Sequence, residues 1–384
     1  MDATILANER IVRIEKGTLV GRRPRRSMYN GRMVGPAFLA GHGDTVRDPL
    51  VRLVTSGGAE GLGFSRLGRE EAERLLGLPL AALFGLPDGS TEAGRPVDLP
   101  LWDLVARLAG LPLYRLLGSG GSRQVPVYDG SIYIDDLGMT DAEAVALYHE
   151  EVRVGQQHGH RHFKVKVGRG GYWMPTEEGL ARDALVVHTV REAAGPAARV
   201  LIDANMANTV NTAIDLLRRT REANVYWFEE PFPEDRPANE RLKAFLRENG
   251  YPTLVADGEF HPPVYYFDLV REGLIDVVQH DFRGLGLSWW RATAERIRPW
   301  GAQCGPHCWG SLVERFHHAH FAASVPHYAM LETAPCTMPG LIDDGWTLQD
   351  GLLSVPDLPG AGFAVEPEAW QRATAGEGGY VLSA

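Results

Sequence analysis

The chain of 384 residues has few cysteines, no long apolar run and no excess of positive charge. Its three cysteines, Cys304, Cys308 and Cys336, do not make the paired framework of a small secreted protein, so we expect free thiols. No stretch approaches the roughly 20 apolar residues that span a bilayer. The formal net charge of -10 is opposite in sign to that of a typical nucleic-acid-binding surface. We therefore expect neither a nucleic-acid partner nor a membrane partner.

The N-terminus also lacks the unbroken apolar segment of a secretory signal peptide, since Asp2, Glu9 and Arg10 interrupt it. A content of 44% hydrophobic and 23% charged residues is typical of a globular protein. We interpret the chain as a cytoplasmic protein, and we expect a homo-oligomer that acts on a small molecule.

The length suits a (β/α)8-type barrel of about 250 residues joined to a smaller domain. From about residue 125, short strand-like runs alternate with amphipathic helical segments at a spacing of about 30 residues, as in repeated βα units around a parallel sheet. One such helix is predicted between Pro175 and Gly195, with Thr176 as its N-cap. Eight strand-like runs fit the barrel, the seventh being the weakest: VPVYDGSIY from Val125, HFKVKV from His162, RVLIDAN from Arg199, VYWFEEP from Val225, TLVADGE from Thr253, IDVVQHD from Ile275, GAQCGPH from Gly301 and HYAMLETA from His327.

The flanking segments have a different order of elements. Before the barrel, RIVRIEKGTLV and PLVRLVTSGG are strand-like, whereas EEAERLLG and LPLWDLVARLAG are helical, which indicates an α+β cap. The last segment has no barrel periodicity and is expected to return to this cap. We therefore predict an α/β protein with a capping domain at residues 1–124, a barrel at 125–356 and a C-terminal tail at 357–384.

Polar side chains follow nearly every predicted strand. In a barrel of this kind the active site forms at the C-terminal ends of the strands, so these side chains are the candidates for chemistry. In chain order they are Lys164, Lys166, Asp203, Asn205, Glu229, Glu230, Asp257, Glu259, Asp281, His307 and Glu332.

Three consecutive strands supply carboxylates, namely Asp203, Glu229 and Glu259. Carboxylate oxygens are the ligands that Mg2+ prefers, so the set predicts a divalent-cation site. A single carboxylate would as readily cap the following helix, but three in succession favour the metal. Glu230 and Asp257 are neighbouring carboxylates that the residue pattern alone does not exclude as ligands.

The FKVKV run places Lys164 and Lys166 on one face of a strand, and inside a barrel that face is the centre. Repulsion between two ammonium groups is expected to lower the pKa of at least one of them and so provide a neutral amine as a base. The alternative is an edge strand whose lysines face solvent.

The last two predicted strands supply further acid/base candidates. Asp281 and His307 are expected on adjacent strands, where the carboxylate would orient the imidazole for proton transfer. Glu332, one strand further on, is expected to stay protonated through burial and to donate a hydrogen bond to a substrate carboxylate. The CGPHC run at residues 304–308 offers two cysteines and a histidine but lacks the fourth ligand of a structural zinc site.

These motifs resemble the mandelate racemase group of the enolase superfamily. The resemblance covers the barrel, and WDLVARLAGLPLYRLLG from Trp102 extends it into the predicted cap. The motifs that carry it are KxK at Lys164, DAN at Asp203, WFEEP at Trp227, GE at Gly258, Asp281 followed by GPH, and LE at Leu331. The resemblance implies that Asp203, Glu229 and Glu259 ligate one Mg2+. It also implies that Lys166 with Lys164, and His307 with Asp281, are two acid/base groups, and that Glu332 assists them.

The resemblance further implies removal of the proton α to a carboxylate, giving an enediolate. It favours β-elimination of water from an acid sugar, an aldonate or aldarate, to a 2-keto-3-deoxy acid. A racemase or epimerase of a 2-hydroxy acid is the alternative reaction. A non-catalytic sugar-acid-binding protein is the alternative from a different class.

Two cap loops close over the substrate in enzymes of this group. The first would be GTLVGRRPRRSMYNGRMVG from Gly17, and the second would lie near residues 61–65. In the first loop, Arg22 and Arg25 are candidates for binding the distal end of the acid, unless they face solvent, and Tyr29 is a candidate for binding hydroxyls. Asn205 and Trp173, which follow the third and second strands, complete the predicted pocket.

Overall fold

The structure is a computed structural model that describes residues 3–31, 41–260 and 262–384. The last four residues of the first predicted cap loop, 32–35, lie outside the described residues. None of the described helices combines the length and the apolar character that crossing a membrane requires.

The chain begins with a mixed unit that we call the cap. Two of its strands, β1 and β2, overlap the predicted strand-like runs, but β1 is longer than predicted and includes residues 17–27 of the first predicted loop. The second predicted loop is mostly strand, so the turn there begins only after Phe64. The elements of the cap are α1 (Ala3–Asn8), β1 (Ile11–Ser27), β2 (Gly43–Thr55), β3 (Glu60–Phe64), α2 (Arg69–Leu75), α3 (Leu80–Leu83), β4 (Phe84–Gly85), β5 (Gly89–Ser90), α4 (Asp98–Leu108) and α5 (Leu113–Leu117).

Eight parallel strands then form a barrel, and each lies within one of the eight predicted runs, except that the first begins one residue earlier, at Gln124. They are β6 (Gln124–Ile132), β7 (Phe163–Lys166), β8 (Val200–Asp203), β9 (Trp227–Glu229), β10 (Leu254–Asp257), β11 (Val277–Val278), β12 (Gln303–Cys304) and β13 (Leu331–Thr333). Successive strands pair from β6 to β12, and β13 pairs back with β6. A parallel bridge between Cys304 and Tyr328 closes the ring, which confirms the predicted barrel.

Helices follow the first seven barrel strands. They are α6 (Asp141–Gln157), α7 (Arg169–Tyr172), α8 (Thr176–Ala194), α9 (Val210–Arg219), α10 (Arg236–Glu248), α11 (Tyr266–Arg271), α12 (Phe282–Ile297) and α13 (Glu314–Ala322). The eighth strand leads into short strands instead of a helix within the described range 262–384, so the barrel is a modified one. The predicted N-cap of α8 was wrong by one residue, because Pro175 occupies the cap position and Thr176 is already helical.

The C-terminal segment packs on both units. Its elements are β14 (Leu341–Ile342), β15 (Thr347–Gln349), β16 (Leu352–Ser354), β17 (Ala364–Val365), α14 (Pro367–Ala375) and β18 (Tyr380–Ser383). The β15–β16 hairpin lies antiparallel to the start of β6. β18 pairs antiparallel with β1, giving the cap sheet the order β18-β1-β2-β3. The buried indole of Trp370 in α14 donates a hydrogen bond to Glu15 of β1.

Successive side chains of β7 point to opposite faces of the strand. Phe163 and Val165 belong to the apolar layer between the barrel and helices such as α6 and α8. Lys164 and Lys166 point to the barrel interior, where both are buried. Below them, apolar side chains such as Leu201 and Met330 fill the barrel. The polar ends of the strands therefore rest on an apolar floor.

Arg169, three residues after Lys166, braces the loop that leaves β7. Its guanidinium is fully buried and forms ion pairs with Asp136 at 2.7 Å and Asp183 at 2.6 Å. It also donates to the carbonyl oxygen of Lys166 at 3.2 Å and to the hydroxyl of Tyr148 at 2.7 Å. The backbone at Lys166 is thus held by a buried cation.

We expect Arg169→Met to lower the free energy of unfolding by about 3–5 kcal/mol, because it leaves the buried carboxylates Asp136 and Asp183 without this partner. Equilibrium urea unfolding followed by circular dichroism measures the change. The matched control is Arg153→Met, which breaks an exposed pair with Glu150 and should leave the urea midpoint unchanged. Equal midpoints for Arg169→Met and the native chain would contradict the bracing role.

Candidate active site

A pocket of about 290 Å³ lies over the C-terminal ends of the barrel strands, facing the cap. The barrel contributes most of its wall, and the cap contributes a smaller part. The lining residues are Asn30, His42, Arg66, Tyr133, Lys166, Asn205, Glu259, Phe260, Asp281, Arg283, Gly284, His307 and Trp309.

Strand register brings the first acidic residues together. Lys166 lies beside Asp203, and Asp203 lies beside Glu229, in the parallel pairing of β7, β8 and β9. Glu259 reaches the same place through Gly258, which has a φ of +122°. A Cβ at that glycine would lie 2.6 Å from the hydroxyl of Tyr266, so both conformation and space require glycine there.

Asp203, Glu229 and Glu259 form a cluster in which one carboxylate oxygen of each lies within 4.8 Å of the others. All three side chains are buried. The Oε1 atom of Glu259 has no hydrogen-bond partner among the described residues, although a buried carboxylate oxygen normally requires one. Three converging carboxylate oxygens, one of them unsatisfied, fit a Mg2+ ion that keeps positions for water or substrate.

The neighbouring carboxylates point elsewhere. Glu230 accepts a hydrogen bond from Asn205 Nδ2 at 3.1 Å, and Asp257 accepts one from the backbone of Gly258 at 2.8 Å. The described residues contain no second cluster of three potential metal ligands. The geometry therefore separates the predicted ligands from the residues beside them.

Lys164 lies under the pocket as the centre of a network of ion pairs. Its Nζ atom is 2.5 Å from Glu229 Oε1, 3.0 Å from Glu332 Oε1 and 3.3 Å from Asp203 Oδ2. Burial alone would lower the pKa of Lys164, but Glu229 and Glu332 outweigh burial and raise it well above its ordinary value. The expected depression of the lysine pKa is wrong for this residue.

Lys166 lines the pocket itself. Its ammonium group donates a hydrogen bond to Asp203 Oδ2 and lies 5.2 Å from the centre of the Tyr133 ring. Burial lowers its pKa, whereas Asp203 and Tyr133 raise it, and the result lies above the ordinary value of a lysine. The repulsion from Lys164 is present but smaller than these attractions, so the expected depression is wrong here too.

His307 and Asp281 form the expected pair across β12 and β11. The Nδ1 atom of His307 is 2.6 Å from Asp281 Oδ1, which leaves Nε2 toward Glu259 Oε1 at 3.5 Å and Glu332 Oε2 at 3.8 Å. Burial lowers the pKa of His307, but Glu259 and the hydrogen bond to Asp281 raise it to about 9. The free ring nitrogen therefore faces the carboxylate cluster and the pocket.

Glu332 is ionised, contrary to the expectation that burial keeps it protonated. Burial does raise its pKa, but Lys164, His307 and Lys166 together lower it below the ordinary value. Its Oε2 atom also accepts a hydrogen bond from the backbone of Cys308 at 3.1 Å. Glu332 is therefore a hydrogen-bond acceptor and a partner of Lys164 in this structure.

Three of the predicted substrate-binding residues lie at or behind the pocket wall. Asn205 lines the pocket. Trp173 donates from Nε1 to the carbonyl oxygen of Asn30 at 2.7 Å, and its ring packs on Tyr29 at 4.7 Å. Trp173 and Tyr29 are absent from the lining, and they hold the backbone of Asn30, which does line it.

Arg22 and Arg25, which were predicted as substrate-binding residues, do not line the pocket. Side chains alternate along β1, so the exposed Arg22 turns outward and pairs with Asp44 at 3.1 Å. Arg25 turns inward but contacts Asp129 at 3.0 Å, at the first barrel strand. Arg23, between them, lies 4.2 Å from the ring centre of Trp309 and so approaches the pocket from behind that residue.

Several residues that line the pocket were not among the candidates predicted from the sequence. Tyr133 directly follows β6, so the rule that strand ends carry the site would have identified it. Arg283 lies two residues after Asp281, in the first turn of α12. Arg66 and His42 come from the cap: Arg66 directly follows the second predicted loop near residues 61–65, whereas His42 lies in neither predicted loop.

Comparisons with known proteins agree with this geometry. Residues 147–369 match the family model described as Enolase C-terminal domain-like. A 3,6-anhydro-alpha-L-galactonate cycloisomerase of Streptomyces coelicolor is 30% identical over 75% of this chain and 73% of its own. The crystal structure of a galacturonate dehydratase from Geobacillus sp., complexed with D-galacturonate and 5-keto-4-deoxy-D-galacturonate, is 33% identical, with a TM-score of 0.92 over 98% of this chain and 100% of the other.

A mandelate racemase/muconate lactonizing protein from Geobacillus sp. Y412MC10, complexed with magnesium and tartrate, is similar to the same degree, with 33% identity, a TM-score of 0.92 and 98% of both chains covered. The family model alone covers more than half of the sequence and includes every candidate metal ligand. This chain therefore belongs to the enolase C-terminal domain-like family.

Proposed function

We propose that this protein is a Mg2+-dependent acid-sugar dehydratase, a lyase that removes water from an aldonate or aldarate to give a 2-keto-3-deoxy acid. The observation that carries the proposal is that Lys166 and His307 reach one pocket from well-separated strands of the barrel, β7 and β12, with a carboxylate cluster between them. The resemblance to a galacturonate dehydratase supports dehydration, and the resemblance to a cycloisomerase keeps an isomerase as the alternative.

Asp203, Glu229 and Glu259 would hold the Mg2+ ion. When bound, the ion would offset the negative charge that develops on the substrate carboxylate as the α proton leaves. If Asp203 bound a cation, its carboxylate would attract the ammonium group of Lys166 less strongly. The neutral amine of Lys166 would then be favoured. Lys164 stays charged through Glu229 and Glu332 and keeps those carboxylates in place.

Lys166 takes the proton from the carbon next to the substrate carboxylate. The backbone brace at Arg169 and the ring of Tyr133 fix the direction of its side chain. This positioning matters because proton transfer requires the amine to approach the carbon within hydrogen-bonding range.

His307 gives a proton to the β-hydroxyl, which leaves as water. Asp281 holds Nδ1, so the proton for transfer is on Nε2, which faces the pocket. If His307 instead returned a proton to the α carbon, the product would be the epimer. The roles of the two residues therefore decide between dehydratase and racemase.

We expect His307→Asn to abolish dehydration yet retain exchange of the α proton with deuterium from D2O, because Lys166 still abstracts it. Lys166→Met should lose both, with a fall of about 100- to 10,000-fold in turnover, since it removes the abstracting base. Proton NMR and keto-acid detection over a panel of aldonic and aldaric acids measure the two outcomes.

His158→Asn is the control, because His158 is exposed and lies on the outer surface after α6. Exchange without any keto-acid product from the native enzyme would contradict a dehydratase and favour a racemase. Binding of a sugar acid without exchange would instead favour a non-catalytic binding protein.

We expect Glu259→Gln to weaken Mg2+ binding by about 10-fold or more, because it replaces a charged ligand with a neutral one. Isothermal titration calorimetry of the metal-free protein with Mg2+ measures this without reference to activity. Asp257→Asn is the matched control, because Asp257 lies two residues before Glu259 and accepts a hydrogen bond from the backbone of Gly258. Equal affinities for the native protein and Glu259→Gln would contradict the ligand assignment.

A further inference from the structure

The catalytic pocket continues into a larger cleft between the cap and the barrel. The cleft has a volume of about 570 Å³ and shares Arg66, Arg283 and Gly284 with the pocket. Two arginines of different units therefore lie where the cleft and the pocket meet. None of the roles proposed so far uses either of them.

Residues of the barrel bind two of the three guanidinium nitrogens of Arg283. Its Nε atom lies 3.3 Å from Glu314 Oε2, beneath it, and its Nη2 atom donates to the carbonyl oxygen of Trp309. Its Nη1 atom has no hydrogen-bond acceptor within the described parts of the chain, although Arg283 lines the pocket. A guanidinium fixed through Nε and Nη2 presents Nη1 in a defined direction.

Arg66 faces the same opening from the cap. It follows β3, its side chain is exposed, and no ion pair or side-chain hydrogen bond is formed by it in residues 3–31, 41–260 and 262–384. Both cations lie over the ring of Phe64, with each guanidinium carbon 5.8 Å from the ring centre. Phe64 is buried, so it fixes the spacing of the pair.

The two arginines lie where the pocket opens into the cleft, which none of the three clustered carboxylates lines. Asn205 and Glu259 line the pocket on the metal side, while Arg66 and Gly284 line it where it opens into the cleft. A linear acid sugar whose first carboxylate lies at the metal side would extend its far end toward the arginines. The charge that complements two guanidinium groups there is negative.

We propose that Arg66 and Arg283 bind a second carboxylate at the distal end of the substrate, so that the preferred substrates are aldaric acids, which carry a carboxylate at both ends. This inference rests on the proposed dehydratase function and narrows its substrate class. A carboxylate fits better than a phosphate, because Asp281 near Arg283 already supplies negative charge, which repels a dianion more strongly than a monoanion.

Matched pairs of acids test the inference: galactarate with galactonate, and glucarate with gluconate. Within each pair the acids differ only in the distal carboxylate. We expect the native enzyme with Mg2+ to prefer the aldarate, and Arg66→Gln to lower the aldarate-to-aldonate ratio of kcat/KM by about 10- to 100-fold, the loss of one charged hydrogen bond. Arg66→Lys, which keeps the charge, should retain part of the preference.

Arg95→Gln is the matched control, because Arg95 is an exposed arginine that lines the cleft but not the catalytic pocket. It should leave the ratio unchanged. The inference would be overturned if the native enzyme preferred aldonates. It would also be overturned if Arg95→Gln and Arg66→Gln lowered the aldarate-to-aldonate ratio of kcat/KM equally. Because Arg66 is exposed and unpaired, its replacement tests recognition without removing a buried contact.

A second measurement separates this inference from the proposed function. Calorimetric titration of the Lys166→Met protein with Mg2+ present compares galactarate with galactonate in the absence of turnover. We expect the Lys166→Met protein to bind galactarate more tightly than galactonate. If this difference in affinity disappears in the Lys166→Met, Arg66→Gln double variant, the distal carboxylate site is supported even if no acid sugar is dehydrated. Equal affinities for the two acids in the single variant would overturn the site, whatever the reaction.

Discussion

The structure of the site depends on one interaction, the contact of the Lys164 ammonium group with carboxylates from three other barrel strands. Glu229, Glu332 and Asp203 all lie within 3.3 Å of its Nζ atom, and none of the four side chains has more than slight exposure. Buried charges of one sign are tolerated only when opposite charge lies beside them. Lys164 therefore makes it possible for the barrel to carry a dense group of carboxylates above an apolar floor.

Chemistry and recognition come from different units of the molecule. The barrel supplies the acid/base residues and the carboxylate cluster, held by strand register and by the brace at Arg169. The cap supplies Arg66, Asn30 and His42 at the opening of the pocket. A change in the cap can therefore alter which acid fits the pocket without moving the residues that transfer protons.

The barrel and its acidic cluster were predictable because parallel strands are recognisable locally. Each is an apolar run that ends in a polar residue, as FKVKV and RVLIDAN show, and the shared direction of the strands brings those ends together. The lysine and Glu332 charge states were not predictable, because they depend on carboxylates from other strands. The ion pairs that Arg22 and Arg25 form were not predictable either, because tertiary packing alone decides which side of β1 each residue faces and brings Asp129 next to Arg25.

The pairing of β18 with β1 has a consequence for how the protein is made. Arg13 of β1 lies opposite Ser383, so the two strands meet across almost the whole length of the chain. During translation the edge of β1 that faces away from β2 has no partner until β18 has left the ribosome. Contacts between residues so far apart in sequence form late, and an open strand edge can pair with other chains. A ribosome that stalls within the last strands would therefore hold a finished barrel beneath an incomplete, association-prone sheet.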